Sequence, residues 1–155
     1  MLRMNAIRDG KVILEESKFV TSTIPDLPRL YLKNVKSGDI LFYRTNSFEL
    51  VGKSGVFNGP DDKFTFAAYL IQGSLLLDLL PEFVTVAMKA KYYRKTQIEP
   101  EVTQQCGQAN FNGTKLRHSL IPIPPFDAIY NTLEGNAHRS AMIDIADHSI
   151  ARRYL

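Results

Sequence analysis

Apolar and polar positions change period several times along this chain, and each change predicts an element. Residues 1–8, Met-Leu-Arg-Met-Asn-Ala-Ile-Arg, alternate as a half-buried strand does. Asp9-Gly10 is a strong turn signal, and Lys11-Val12-Ile13-Leu14 has the pattern of the returning strand. Phe19 to Tyr31 contains Pro25 and Pro28, which predicts a loop with a short helical piece, and Leu30-Tyr31-Leu32 serves as its apolar anchor. After a turn at Lys36-Ser37-Gly38-Asp39, the run Ile40-Leu41-Phe42-Tyr43 has strand length and no polar member, the mark of a buried strand. Arg44 to Glu49 is polar and predicts a loop. Leu50-Val51-Gly52-Lys53 restarts a strand ending near Phe57, Asn58 to Asp62 is a turn, and Phe64 to Ile71 is the next strand. Strands joined by such short turns favour a largely antiparallel or mixed sheet.

The period then lengthens. Between Leu75 and Lys91, Phe83, Val84, Ala87, Met88 and Tyr92 share one face of an amphipathic helix, with Pro81 suited to its first turn. Glu99 to Gln105 is loop-like. Asn112 is placed as the N-cap of a short helix that carries Thr114, Lys115 and Arg117, a group suited to an anion such as phosphate. Ile121-Pro122-Ile123-Pro124-Pro125 forbids helix and predicts an exit strand. In the tail, Ala128-Ile129-Tyr130 with Leu133 predicts a short helix. Ala141, Met142, Ile145, Ala146 and Ile150 predict a second, amphipathic one. No sustained heptad or internal repeat occurs.

With 155 residues and 45% hydrophobic content the chain fits one domain with a folded core. Its net charge of +3 permits a polyanionic partner without demanding one. Cys106 is the only cysteine, so no intramolecular disulfide can form and a reducing compartment is expected. The apolar run from Gly73 to Pro81 is far shorter than the roughly 18–20 residues of a membrane span, so a soluble, cytoplasmic protein is expected.

An enzyme reading finds little to stand on. His118, His138 and His148 are scattered, and no zinc, phosphate-loop or nucleophile-elbow motif occurs. Asp61-Asp62-Lys63 has the makings of a nuclease cluster, but following Gly59-Pro60 it is better explained as an exposed turn. No catalytic residue, metal or cofactor is expected.

Three ordered blocks resemble the target recognition domains of type I restriction-modification specificity subunits. The first is Gly38-Asp39-Ile40-Leu41-Phe42-Tyr43-Arg44-Thr45 with Leu50-Val51-Gly52-Lys53-Ser54-Gly55-Val56-Phe57. The second is Phe66-Ala67-Ala68-Tyr69-Leu70-Ile71. The third is Gln108-Ala109-Asn110-Phe111-Asn112-Gly113-Thr114-Lys115-Leu116 leading to Ile121-Pro122-Ile123-Pro124-Pro125. Leu2 to Val12 also resembles the hairpin with which such domains often open. In the family more chain normally precedes that hairpin, so the N-terminus looks shortened.

The resemblance implies an α/β (α+β) fold, with a mixed, largely antiparallel twisted sheet and flanking helices. It places the recognition domain at residues 1–125 and a divergent helical tail at 126–155, in place of the usual spacer helix. It implies double-stranded DNA as ligand and two partners, a modification subunit that methylates adenine and a restriction subunit that cuts. Self-association, or pairing with a second half-subunit, would complete the specificity unit.

Within that frame, Arg44, Thr45, Asn46 and Ser47 occupy the loop after a rigid strand, where arginine suits guanine and asparagine suits adenine. Lys53, Lys91, Arg94, Lys95 and Lys115 are expected phosphate contacts, which set affinity rather than sequence. Tyr92 is expected beside sugar or base, and Asn110, Asn112 and Thr114 near the anion-suited helix start. Gly38, Gly52 and Gly113 are expected to serve the fold. The competing readings are a recognition fragment of a fused restriction-methyltransferase, and a degenerate remnant that binds partner subunits without DNA.

Overall fold

A computed structural model describes residues 1–18, 34–75, 79–105, 107–123, 139–142 and 145–146. Its centre is the strand Ile40–Tyr43, whose four side chains are all buried. Ile40 and Phe42 pack into one apolar cluster with Val84, Met88, Tyr93, Phe111 and Leu116. Leu41 and Tyr43 pack into another with Leu2, Ile7, Val35 and Phe57. A strand covered on both faces needs apolar side chains at every position, which is why the run lacks alternation.

In chain order the first strands are β1 (Ile7–Arg8), β2 (Lys11–Val12), β3 (Ile40–Tyr43), β4 (Thr45–Asn46), β5 (Ser54–Val56) and β6 (Leu70–Leu75). They are followed by the helices α1 (Pro81–Lys89) and α2 (Lys91–Tyr93) and a π-helical turn at Arg94–Ile98. Then come β7 (Thr103–Gln105), β8 (Gln108–Asn110), α3 (Gly113–Arg117), β9 (Leu120–Ile123), β10 (Arg139–Met142) and β11 (Ile145–Ala146).

Among the described residues the main sheet runs β1-β2-β5-β3-β6-β11. β2 pairs parallel with β5, and the other neighbours pair antiparallel. A second sheet, β4-β8-β7, hangs from the end of β3, and β9 and β10 form a third. The result is a mixed α/β fold with antiparallel sheets and flanking helices.

The Asp9-Gly10 turn joins β1 to β2, with both residues at positive φ (49° and 81°) as a two-residue hairpin turn of the mirror-image type requires. Asp39, buried before β3, accepts hydrogen bonds from the Lys36 amide (2.7 Å), Gln72 Nε2 (2.6 Å) and Ser74 Oγ (2.6 Å). This carboxylate therefore ties the turn to β6. Gly38 and Gly52 take left-handed backbone (φ 88° and 89°), whereas Gly113 sits in α3 with no such requirement. Asp61 accepts from the Ser37 amide (2.7 Å), in keeping with the turn reading of Asp61-Asp62-Lys63.

Several elements depart from the sequence pattern. Residues 4–6 form a 3-10 turn, so the first eight residues are not one strand. Leu50 to Gly52 is a turn held by Ser47, whose carbonyl accepts from the amides of Leu50 and Val51, and strand structure resumes only at Ser54. Thr65 and Phe66 make isolated bridges, and the continuous strand begins at Leu70.

The long helix breaks at Ala90, whose extended backbone (φ −61°, ψ 138°) resets the helical phase. Tyr93 therefore enters the core, and Tyr92, expected on the buried face, is 72% exposed. Thr103–Gln105, expected as loop, is a strand. Arg139–Met142 and Ile145–Ala146 are strands where the tail predicts helix: edges of β9 and β6 supply hydrogen-bonding partners that periodicity does not reveal. The expected pieces at 19–33, 128–133 and Ile150 lie outside the described residues, as do Cys106, His138 and His148.

Candidate nucleic-acid interface

One end of the main sheet gathers the chemistry. Arg44 follows β3 directly; its amide donates to the Tyr69 carbonyl (2.8 Å), and its carbonyl accepts from the Phe111 amide (2.8 Å). Lys53 lies alongside, its carbonyl accepting from the Tyr43 amide (2.8 Å). Arg44 is exposed and Lys53 half-buried. Among the described residues no carboxylate lies within ion-pair distance of either.

From Arg44 the chain enters β4, which pairs with β8 rather than remaining a loop. Thr45 lies opposite Asn110, and Asn46 opposite Ala109. Thr45 Oγ1 donates to Asn110 Oδ1 (2.7 Å), so two residues far apart in sequence become one polar unit. The Phe111 ring meets Phe42 with centroids 5.5 Å apart and anchors the end of β8 on the main core.

Other candidates have internal work. Asn46 Nδ2 donates to Met4 Sδ (3.1 Å) and its Oδ1 accepts from the Ser47 amide (2.8 Å), so both ends of the amide are engaged. The Glu49 carboxyl is held below its ordinary range by its own backbone amide, by the Ser47 hydroxyl and by Arg94, which ties Ser47 to the turn. Asn112 caps α3 as expected, its Oδ1 accepting from the Lys115 amide (2.9 Å). Lys115 Nζ lies 3.4 Å from the Glu101 carboxylate and donates to the Glu101 carbonyl. Thr114 is exposed on α3.

Arg94 is the most committed of these. Nη1 donates to the Val51 carbonyl (3.0 Å) and Nη2 to the Phe48 carbonyl. Nε lies 3.2 Å from Glu99, and the guanidinium sits 5.4 Å from the Phe48 ring centroid. The side chain thereby clamps the turn between β4 and β5. Nothing in the sequence distinguishes it from its neighbours Lys91 and Lys95, which are exposed, as is Tyr92.

Sequence reasoning passed over Thr103, Gln104, Gln105 and Gln108, all exposed on the β7–β8 hairpin. The available signal was compositional: no charged residue occurs from Val102 to Thr114. Among the described residues no group of three or more His, Cys, Asp or Glu is placed to hold a metal ion. Nor is any described helix long and apolar enough to cross a membrane.

No family model matches the chain, and no solved structure matches it. Over 131 residues it is 26% identical to the Methanocaldococcus jannaschii protein named "Putative type I restriction enzyme MjaX specificity subunit", a match covering 81% of this chain. The chain spans 29% of the length of that relative. The three-sheet scaffold described above thus has distant, partial homology to a type I restriction specificity subunit.

Proposed function

We propose that this chain is a DNA target recognition module, a reading half of a type I restriction-modification specificity subunit. The observation that carries the reading is the polar end of the sheet: Arg44 and Lys53, without carboxylate partners among the described residues, beside the Thr45–Asn110 pair on a scaffold anchored by Phe42 and Phe111. The distant homology supports it. Arg44 approaches a base edge from a rigid strand end, with Thr45 and Asn110 beside it. Lys53, Lys91 and Lys95 meet phosphates, and Tyr92 lies against the sugar-phosphate backbone. Asn46, Ser47, Arg94, Asn112 and Lys115 hold the loops in shape, with Thr114 at the margin. The module itself catalyses nothing. A separate modification subunit methylates adenine at the address it supplies, a restriction subunit cuts, and a second half-subunit completes a split site.

A second reading, a remnant that docks on partner subunits without reading DNA, draws on Leu80, Val86 and Tyr92, which are 63%, 65% and 72% exposed. Methylome sequencing of cells carrying the modification subunit, with and without this chain, separates the two. A methylated motif that appears only with the chain is expected. An unchanged methylome despite co-purification of the two proteins would favour the docking remnant.

A further inference from the structure

Register places five uncharged polar side chains on one face of the small sheet. Thr45, Asn110 and Thr103 are directly opposite one another across β4, β8 and β7, and Gln105 is opposite Gln108. Directly paired residues share a face, and so do residues two apart on a strand. The five therefore lie together. The opposite face carries Asn46, Ala109 and Gln104, and Ala109 is buried in the main core. One face is thus the anchor, and the other is built of hydroxyls and amides.

The hairpin projects. Thr103, Gln105 and Gln108 are exposed, and a Cβ added at Gly107 beside the turn would meet nothing within 4 Å. Charge is arranged around this face rather than on it. Val102 to Thr114 contains no ionisable acid or base apart from the Cys106 thiol. Arg44 and Lys53 stand at the β4 side, and Glu101, the acid that precedes β7, is held by Lys115.

We propose that this face is a base-edge reader for the major groove of duplex DNA. Gln105, Gln108 and Asn110 supply the amides beside Arg44, which reads a base edge from the end of β3, and Lys53 at the flank supplies a cation for the phosphates. The proposal rests on the duplex-binding reading above and extends it from the loop after β3 to the β7–β8 hairpin. A two-stranded ribbon fits a groove about 12 Å wide, and glutamine and asparagine amides match the paired acceptor and donor of adenine. Neutral amides flanked by cations complement a ligand whose recognition edges are neutral and whose margins are anionic. A protein strand added to the exposed edge of β7 would use backbone groups and leave the side-chain face idle.

The test is selection of bound duplexes from a randomised pool by the 155-residue chain, followed by sequencing. The variants are Gln105→Ala/Gln108→Ala and, from the opposite face, Gln104→Ala. The wild type is expected to enrich a motif containing adenine. The double variant is expected to keep low-salt affinity within about threefold while losing on the order of tenfold enrichment at one or two positions. Gln104→Ala is expected to keep the whole motif. A single Gln108→Asn variant, which keeps the amide but shortens its reach, is expected to weaken one position only. An unchanged motif in the double variant overturns the hairpin proposal and leaves duplex reading standing. Equal losses in Gln104→Ala and the double variant overturn it too, because the effect would then not belong to one face of the hairpin. Failure of the wild type to enrich any motif removes duplex reading, and this proposal with it.

Discussion

Arg94 holds the carbonyl of Val51 at 3.0 Å, across 43 residues of sequence, and so fixes the turn that joins the candidate reading strand β4 to the core strand β5. The turn places Lys53, and β4 places Thr45 against Asn110. Shape at the candidate interface therefore depends on a residue that sequence reasoning sends to phosphate.

The two roles of Arg94 predict different outcomes. A charge-assisted bond to a carbonyl contributes about 1.5–3 kcal/mol, so Arg94→Ala should destabilise the fold by about 2 kcal/mol. Arg94→Lys should recover less than half of that, because one ammonium cannot span two carbonyls as a planar fork does. Amide exchange at residues 48–51 should accelerate in both variants. In duplex binding, the salt dependence should be unchanged by Arg94→Ala but reduced by about one counterion by Lys53→Ala. An equal drop in slope for both would return Arg94 to the phosphate-contacting set.

Gly52 lies in the same turn with φ at 89°, and a Cβ there would stand 3.2 Å from Ile98 Cγ2. Gly52→Ala adds backbone strain to that crowding, about 1–2 kcal/mol from the left-handed conformation alone. A lowered urea midpoint with unchanged slope is the expected result.

Asp39 gathers three donors in a buried site. Asp39→Ala leaves Ser74 and the Lys36 amide without their acceptor and Gln72 with the Asn34 carbonyl alone, and a loss of about 3 kcal/mol is expected. Asp39→Asn should fall between Ala and wild type: its oxygen can still accept from the Lys36 amide and Gln72 and its NH2 can donate to the Ser74 hydroxyl, but the carboxylate charge that strengthens these bonds is gone. Equilibrium unfolding of the two variants gives the ranking.

Burial pushes the Tyr93 phenol up to about 12, and the neighbouring Ser119 hydroxyl partly offsets the shift, although no directed hydrogen bond joins the two. An unfolded tyrosine ionises near 10. Between about pH 10 and 12 the unfolded state has released a proton that the folded state keeps, so stability falls as pH rises through that window. Below pH 10 the contribution is fully present. The loss amounts to about 3 kcal/mol for a two-unit difference, and Tyr93→Phe should flatten the alkaline limb of the stability curve.

Much of the scaffold is legible from local chemistry. The apolar run at β3, the Asp9-Gly10 turn, Pro81 at the first turn of α1 and the Asn112 cap each depend on residues close in sequence. What escapes is set by distance. β7 has no buried side chain, so only its register with β8 makes it a strand. The phase reset at Ala90 exchanges Tyr92 for Tyr93 in the core, because an extended residue between two helical pieces leaves no mark on hydrophobic spacing. At the candidate site, Arg44 and Lys53 are visible as cations in a polar stretch. The partnership of Thr45 with Asn110, and the commitment of Asn46 to Met4, need the folded chain.

Hydrogen exchange of the 155-residue chain, with and without saturating duplex DNA at low salt, decides whether the polar end of the sheet meets DNA. Exchange is expected to slow at residues 44–46 and 103–110 and to stay unchanged at residues 81–89. No slowing at the first two segments, or slowing confined to the α1 surface around Val86, would rule that interface out.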